Sequence, residues 1–173
     1  MADNSVATQM EDWIVTQIRA LKIGDDAVFN AEDVQPWEGG LAPNINQITA
    51  ELFTSRRDLA ARVFYHSDRT VDLEAGEIKV IPQYIVVIGM RNRRPQAARR
   101  GDDQAIGTNL LRDLLIAALH DKRPLDGEGE LIGDAATAVD RTCFRGSRIL
   151  VNQTDLCIQE TTIEADEVPR AQG

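Results

Sequence analysis

The sequence predicts an α+β domain, a mixed and mainly antiparallel β-sheet flanked by helices packed on one of its faces. Three observations lead there. Two segments repeat apolar residues at helical spacing, and several others are rich in β-branched and aromatic residues. The elements follow one another as helix, strand, helix, strand pair, helix, strand pair, the order of a sheet built from hairpins rather than from βαβ units.

The chain has 173 residues, enough for one domain with a real core and no need of disulfides or a structural metal. Apolar residues make up 43% and charged ones 27%, an ordinary globular balance, while aromatics are sparse at 5%. Nineteen Lys and Arg stand against twenty-eight Asp and Glu, a net charge of −9 that opposes tight, sequence-blind binding to nucleic acid. No run of 18 apolar residues occurs, so no transmembrane helix is expected. The opening Met1-Ala-Asp-Asn-Ser-Val has neither the basic nor the apolar region of a signal peptide, and a cytoplasmic product is expected. Cys143 and Cys157 form no C-x-x-C pair and read as small hydrophobic residues of strands.

Over residues 5–22, Val6, Met10, Trp13, Ile14, Ile18 and Leu21 fall on one helical stripe. Asn4 or Ser5 is positioned to cap its start and Gly24 to close its end. Residues 24–44 carry Gly39-Gly40, Pro36 and Pro43 and predict a long loop holding a short strand near Val28-Phe29 or Val34. Ile45, Ile48, Leu52 and Phe53 predict a shorter helix. Residues 60–65 and 78–90 then predict an antiparallel hairpin turning at 72–77. Pro82 makes the first part of the second strand an edge or a bend, whereas Tyr84-Ile-Val-Val-Ile-Gly-Met90 is apolar on successive residues and predicts the central strand.

A segment with five arginines and no acid follows: Arg91, Arg93, Arg94, Arg99 and Arg100. Asp102 or Asp103 is the expected cap of a helix carrying Ile106, Leu110, Leu111, Leu114, Ala117 and Ala118, which ends before His120 and Pro124. After a turn-rich stretch with Gly127, Gly129 and Gly133, residues 136–144 and 148–163 read as strands around breaks at Gly146-Ser147 and 152–155. One domain therefore spans 1–163, with long loops at 24–44, 91–101 and 121–135. An acidic flexible tail is expected over 164–173.

No chemistry announces itself. The chain has no phosphate-binding G-x-x-x-x-G-K-[ST], no G-x-G-x-x-G, no G-x-S-x-G and no H-E-x-x-H, and its two histidines, His66 and His120, lie in different segments. The acidic pairs Asp25-Asp26 and Asp102-Asp103 fall in a loop and at a helix start, where the macrodipole accounts for the second. Neither catalytic residues, a cofactor nor a metal are expected. Two features stand out as candidate interface elements. The arginine segment reads as a solvated loop, as a dock for an acidic surface of a neighbouring copy through bidentate arginine–carboxylate pairs, or, least favoured by the net charge, as a phosphate contact. Trp37, in a Pro-Trp-Glu-Gly-Gly loop, reads as tucked beneath the loop or as an interface anchor.

From Tyr84-Ile-Val-Val-Ile-Gly-Met-Arg-Asn-Arg93 through Ala97-Ala-Arg-Arg-Gly-Asp102 to Gly107-Thr-Asn-Leu-Leu-Arg-Asp-Leu-Leu-Ile-Ala-Ala-Leu119, the chain resembles the small tail terminator, or tail completion, proteins of Mu-like contractile-tailed phages and prophages. The pattern is a strand ending in Arg-Asn, an Ala/Arg-rich loop, then Gly and a leucine-rich helix. Met10-Glu-Asp-Trp-Ile-Val-Thr-Gln-Ile18 resembles the opening helix of the same family. The chain departs from the family's commoner length over 36–57 and in its acidic end.

The resemblance implies a sheet flanked by helices and a virion structural protein, not an enzyme. It implies a homo-oligomeric ring, typically a hexamer, on the head-proximal end of the contractile tail, assembled in the host cytoplasm. Such a ring stops polymerisation of the tail tube protein, anchors the last layer of tail sheath protein and meets the neck and head–tail connector proteins. DNA passes its channel without specific binding, and no membrane is involved. The arginine segment and Trp37 are then expected at the subunit or tube contact. A neck or head-closure subunit, or a tail-assembly chaperone, is the alternative, and a small-ligand enzyme without a recognisable motif comes last.

Overall fold

A computed structural model describes residues 5–37, 45–52, 58–73, 77–91, 107–153 and 156–170. Helix α1 (Val6–Arg19) opens at Ser5, whose extended backbone and Oγ, accepting the Thr8 N–H at 3.3 Å, satisfy a first-turn donor. Its stripe buries Met10, Ile14, Val15 and Ile18, with Val6 and Trp13 packed alongside. Each fully buried aliphatic side chain of this kind contributes about 1.5–3 kcal/mol. The Ala20 N–H bonds the Thr16 carbonyl at 3.1 Å and ends the helix, so Gly24 does not close it. Gly24 instead takes φ +61° in the two-residue turn between β1 (Lys22–Ile23) and β2 (Asp26–Ala27), a conformation glycine adopts without strain.

A single 3₁₀ turn at Ala31–Asp33 leads into β3 (Val34–Pro36), and the Arg19 guanidinium ties the end of α1 to the Val34 carbonyl at 2.7 and 3.1 Å. Helix α2 (Ile45–Leu52), β4 (Leu59–Asp72), β5 (Ile78–Arg91), α3 (Thr108–Leu119), β6 (Thr137–Asn152) and β7 (Leu156–Pro169) complete the order. The main sheet runs β3-β4-β5-β7-β6, parallel only between β3 and β4. The α+β fold with a mixed, mainly antiparallel sheet is thus the one observed, and β5 is its central strand. Tyr84, Val86, Ile88 and Met90 enter one core and Ile85 and Val87 the other.

Several details depart from the sequence reading. Helices cover both faces rather than one: α1 and α3 pack on the face of Val63, Val86 and Ile163, while α2 places Leu52 against Ile85, Val87 and Ile158 on the opposite face. Helix α3 starts from Gly107, without a side-chain cap, and its buried row is Leu111, Leu115 and Leu119. Leu110, one residue and thus about 100° from that row, is 43% exposed. Asp102, Asp103 and Ile106, like residues 38–44, 53–57 and 92–101, lie outside the described residues.

Gly146-Ser147 is no break. Strand β6 runs straight through it, absorbing three register shifts against β7, one of them between Phe144 and Gly146. The tail expected from Glu164 onward is in fact the second half of β7, where Ala165 is fully buried; only residues 171–173 lie outside the described residues. Sequence composition misled here because Glu164 and Asp166 share one face of the sheet with cations, Arg69 and Lys79, that lie far away in the chain.

The sheet forks at one end. Pairing of β5 with β7 stops at Gln83↔Glu164, whereas β4–β5 continues to Asp72↔Ile78 and β6–β7 to Thr137↔Pro169. Pro82, which has no N–H to give a neighbour, is the first residue beyond the fork. Two hairpin arms result. The 121–135 loop is stitched to the β6 arm by bridges Lys122↔Thr142 and Gly133↔Ala138. Gly133 is required there, since a Cβ would stand 2.2 Å from the Thr137 carbonyl oxygen.

Candidate interaction surface

Of the residues singled out from sequence, the structure describes Trp37 and Arg91. Trp37 is 8% exposed and packs on Phe64, ring centroids 6.3 Å apart, in the core beneath α2. It is a packing residue and not a surface anchor. Its indole N–H has no hydrogen-bond partner among the described residues. Arg91 is exposed at the end of β5, its N–H bonded to the Asp58 carbonyl at 2.7 Å, beside a shallow recess formed with Asn46, Thr49 and Leu156. Arg93, Arg94, Arg99 and Arg100 lie outside the described residues.

A second set of arginines, dispersed in sequence, converges on the α2 face of the sheet near the fork. The Glu164 side chain, 3% exposed, is held from three other strands at once. Arg69 on β4 donates Nε to Oε1 at 2.7 Å and Nη2 to Oε2 at 3.0 Å, Gln83 on β5 donates to Oε1 at 2.9 Å, and Arg145 on β6 donates Nε to Oε2. Burial alone pushes the Glu164 carboxyl up, and these donors outweigh it and hold it below the usual carboxylate range. The same contact raises the Arg69 guanidinium above its ordinary value.

Further ion pairs extend the row. Lys79 binds Asp166, Arg141 Nε lies 3.6 Å from Asp166, and Arg148 Nε donates to Glu160 at 2.9 Å. Five cations thus meet three carboxylates on this face of a chain whose net charge is −9. The guanidiniums of Arg69, Arg141, Arg145 and Arg148 remain about half exposed or more, so the face is outwardly basic. No single stretch of sequence carries this signal. Arg69 and Glu164 are 95 residues apart, and only the strand pairing brings them together.

The opposite face has the reverse character near the fork. Glu11 of α1 accepts the Tyr65 N–H at 2.6 Å; burial pushes its carboxyl up, the Tyr65 bond works against that, and the neighbouring Asp12 adds to it. Glu167 is raised by burial and by the charges of Asp134 and Asp68. Burial and a hydrogen bond to Asp68 push the Tyr65 hydroxyl up to about 12, and Tyr84, edge-on to it at 5.9 Å, is raised mainly by burial. Among the described residues no group of three or more His, Cys, Asp and Glu is placed to hold a metal ion. His120 ends α3 and accepts the Phe144 N–H at 3.2 Å, and His66 sits exposed in the β4 bulge; Cys143 and Cys157 form no disulfide, and the second is buried. No described helix is long and apolar enough to cross a membrane.

The geometry presents a stiff basic face and an acidic one, fixed on a single sheet. No protein-family model and no curated protein matches this chain.

Proposed function

We propose that the chain is a structural subunit of a phage virion, a tail terminator. Its copies form a closed ring, hexameric by the resemblance of its sequence, on the head-proximal end of the tail tube. The observation that carries this reading is the segregation of charge on one sheet: a basic face at Arg69, Arg145 and Arg148, backed by an acidic one at Glu11, Asp68 and Glu167. A ring needs heterologous contacts, in which one patch of a subunit meets a different patch of the next. Opposite charge on the two patches sets their register and discourages wrong pairings.

The resemblance falls on structural joints, which adds support: Arg91 ends β5 and Gly107 precedes α3. In this reading the tube and sheath proteins lie below the ring and the neck proteins above it, and the ring works by geometry alone. Purified tails imaged at subunit resolution test the proposal. One ring of this chain at the head-proximal end is the expected result. Its absence from intact tails overturns the reading in favour of an assembly chaperone, and its presence among the neck proteins in favour of a head-closure subunit. Replacing Arg91, Arg93, Arg94, Arg99 and Arg100 by serine is expected to weaken ring formation on tube ends, and unchanged assembly removes that segment from the contact.

A further inference from the structure

Near the fork, β4 becomes an edge strand. Its parallel partner β3 reaches only Val63, and the Glu11 carboxylate takes the next outward N–H, that of Tyr65. Past the bulge at His66, pairing with β5 runs without a shift from Ser67↔Gln83 to Asp72↔Ile78. The Leu73 N–H bonds the Glu77 carbonyl at 2.7 Å, so it points toward β5. Strand alternation then turns the backbone groups of Ser67, Arg69 and Val71 toward β5 as well, and those of Asp68, Thr70 and Asp72 outward. Among the described residues no strand lies beside these three, and all three are exposed.

The edge is stiff and acidic. Arg69 is fixed to Glu164 and Lys79 to Asp166 on the α2 face, which ties the β4–β5 arm to β7 across the fork. The Asp68 and Asp72 side chains belong to the opposite face, with Thr70 between them, and neither pairs with a cation among the described residues. They are separated by about 13–14 Å along the strand. Two β4 edges meeting about Thr70 set Asp68 of each against Asp72 of the other, and like charges directly opposite destabilise a strand pair. The edge therefore rejects a copy of itself and favours a strand that bears cations.

We propose that residues 68–72 of β4 take an extended segment of another protein as an added strand, one with Lys or Arg at two positions four apart that face Asp68 and Asp72. The outward N–H and C=O groups supply the affinity, and the two aspartates supply the selectivity. Such a contact needs no ring and goes beyond that reading.

Amide hydrogen exchange of the full chain, read by NMR with and without a seven-residue peptide of Thr and Val carrying lysines at its second and sixth positions, tests this. In the free protein the N–H groups of Asp68, Thr70 and Asp72 are expected to exchange at least tenfold faster than those of Arg69 and Val71. The peptide is expected to slow all three at least tenfold. A peptide of the same composition with lysines at the second and fifth positions, on opposite faces of a strand, is expected to bind at least tenfold more weakly. Thr70→Pro removes the central outward N–H and no bond of the β4–β5 ladder. It is expected to abolish binding while the Arg69 and Val71 amides stay protected, whereas Thr70→Val retains binding. Asp68→Lys with Asp72→Lys is expected to reverse the preference toward a peptide with glutamates in place of the lysines. Slow exchange at all three positions in the free protein, or no binding at millimolar peptide, overturns the added strand. Equal binding of the two lysine peptides, or unchanged binding to a folded Thr70→Pro protein, does the same.

Discussion

Glu164 gives the most decisive test of how the fork is held together. Replacing both of its arginines, as Arg69→Ala with Arg145→Ala, leaves a 3% exposed carboxylate with Gln83 as its remaining donor among the described contacts. Stranding a buried charge costs about 3–5 kcal/mol. The two truncations also open a path for water, which puts the expected loss at the lower end, about 3 kcal/mol. For a domain of this size that is a fall in Tm of roughly 6–12 °C. The converse change, Glu164→Gln, leaves two guanidiniums that are 42% and 51% exposed and that water serves well, and its expected cost is only about 1 kcal/mol.

Urea unfolding of the two variants and the parent at pH 7 measures the asymmetry. The pH dependence provides a second axis. The folded Glu164 carboxyl lies below its unfolded value of 4.5, so its contribution is present above pH 4.5 and is lost as pH falls through the depressed folded value. In the double-arginine variant burial raises the stranded carboxyl instead, so the penalty begins to shrink above pH 4.5 and goes on shrinking as pH falls through the parent's depressed value. A Glu164→Gln variant that is destabilised as much as the double-arginine variant, or a gap between them that persists when the carboxyl is protonated, would refute the reasoning.

Two further outcomes follow from groups on either side of the sheet. Glu167 is raised above 4.5 in the fold, so its ionisation opposes folding at neutral pH and that penalty fades as pH falls toward 4.5; Glu167→Gln is expected to raise Tm at pH 7 and to leave it unchanged near pH 4, by calorimetry. Trp37 is a packing residue whose N–H finds no partner among the described residues, so Trp37→Phe is expected to cost below about 1.5 kcal/mol and Trp37→Ala about 3–5 kcal/mol. Denaturant midpoints check both, and a Trp37→Ala protein of parental stability with lost assembly would restore it as an interface anchor.

The strongly periodic elements were legible from sequence because one-dimensional spacing maps directly onto one buried face. Met10, Ile14 and Ile18 announced α1, and seven successive apolar residues announced the middle strand. Leu110 shows the resolution of that method: adjacent leucines at 110 and 111 satisfy nearly the same stripe, and only packing against β6 and β7 decides which is buried. Gly146 looked like punctuation because a bulge and a turn use the same residue, and cross-strand pairing tells them apart. The acidic end of the chain looked unable to fold for a related reason. Glu164 and Asp166 acquire their cations from β4, β5 and β6, so the stabilising partner of Glu164 is invisible at position 164. The arginine segment was legible as composition, while the basic face at Arg69, Arg145 and Arg148 exists only once four strands are aligned.

The register shifts of β6 bear on how the subunit behaves before it meets any partner. A 16-residue strand at the border of a sheet is a template on which other chains stack into cross-β aggregates. Shifts between Val139 and Arg141, Phe144 and Gly146, and Ile149 and Val151 break that border into runs of only two to four regularly paired residues. Each bulge also increases the local twist, so a flat extended chain gains no long row of donors and acceptors. The β6 border therefore offers another chain no long row of backbone partners, and association along it is left to side chains, which can choose their partners.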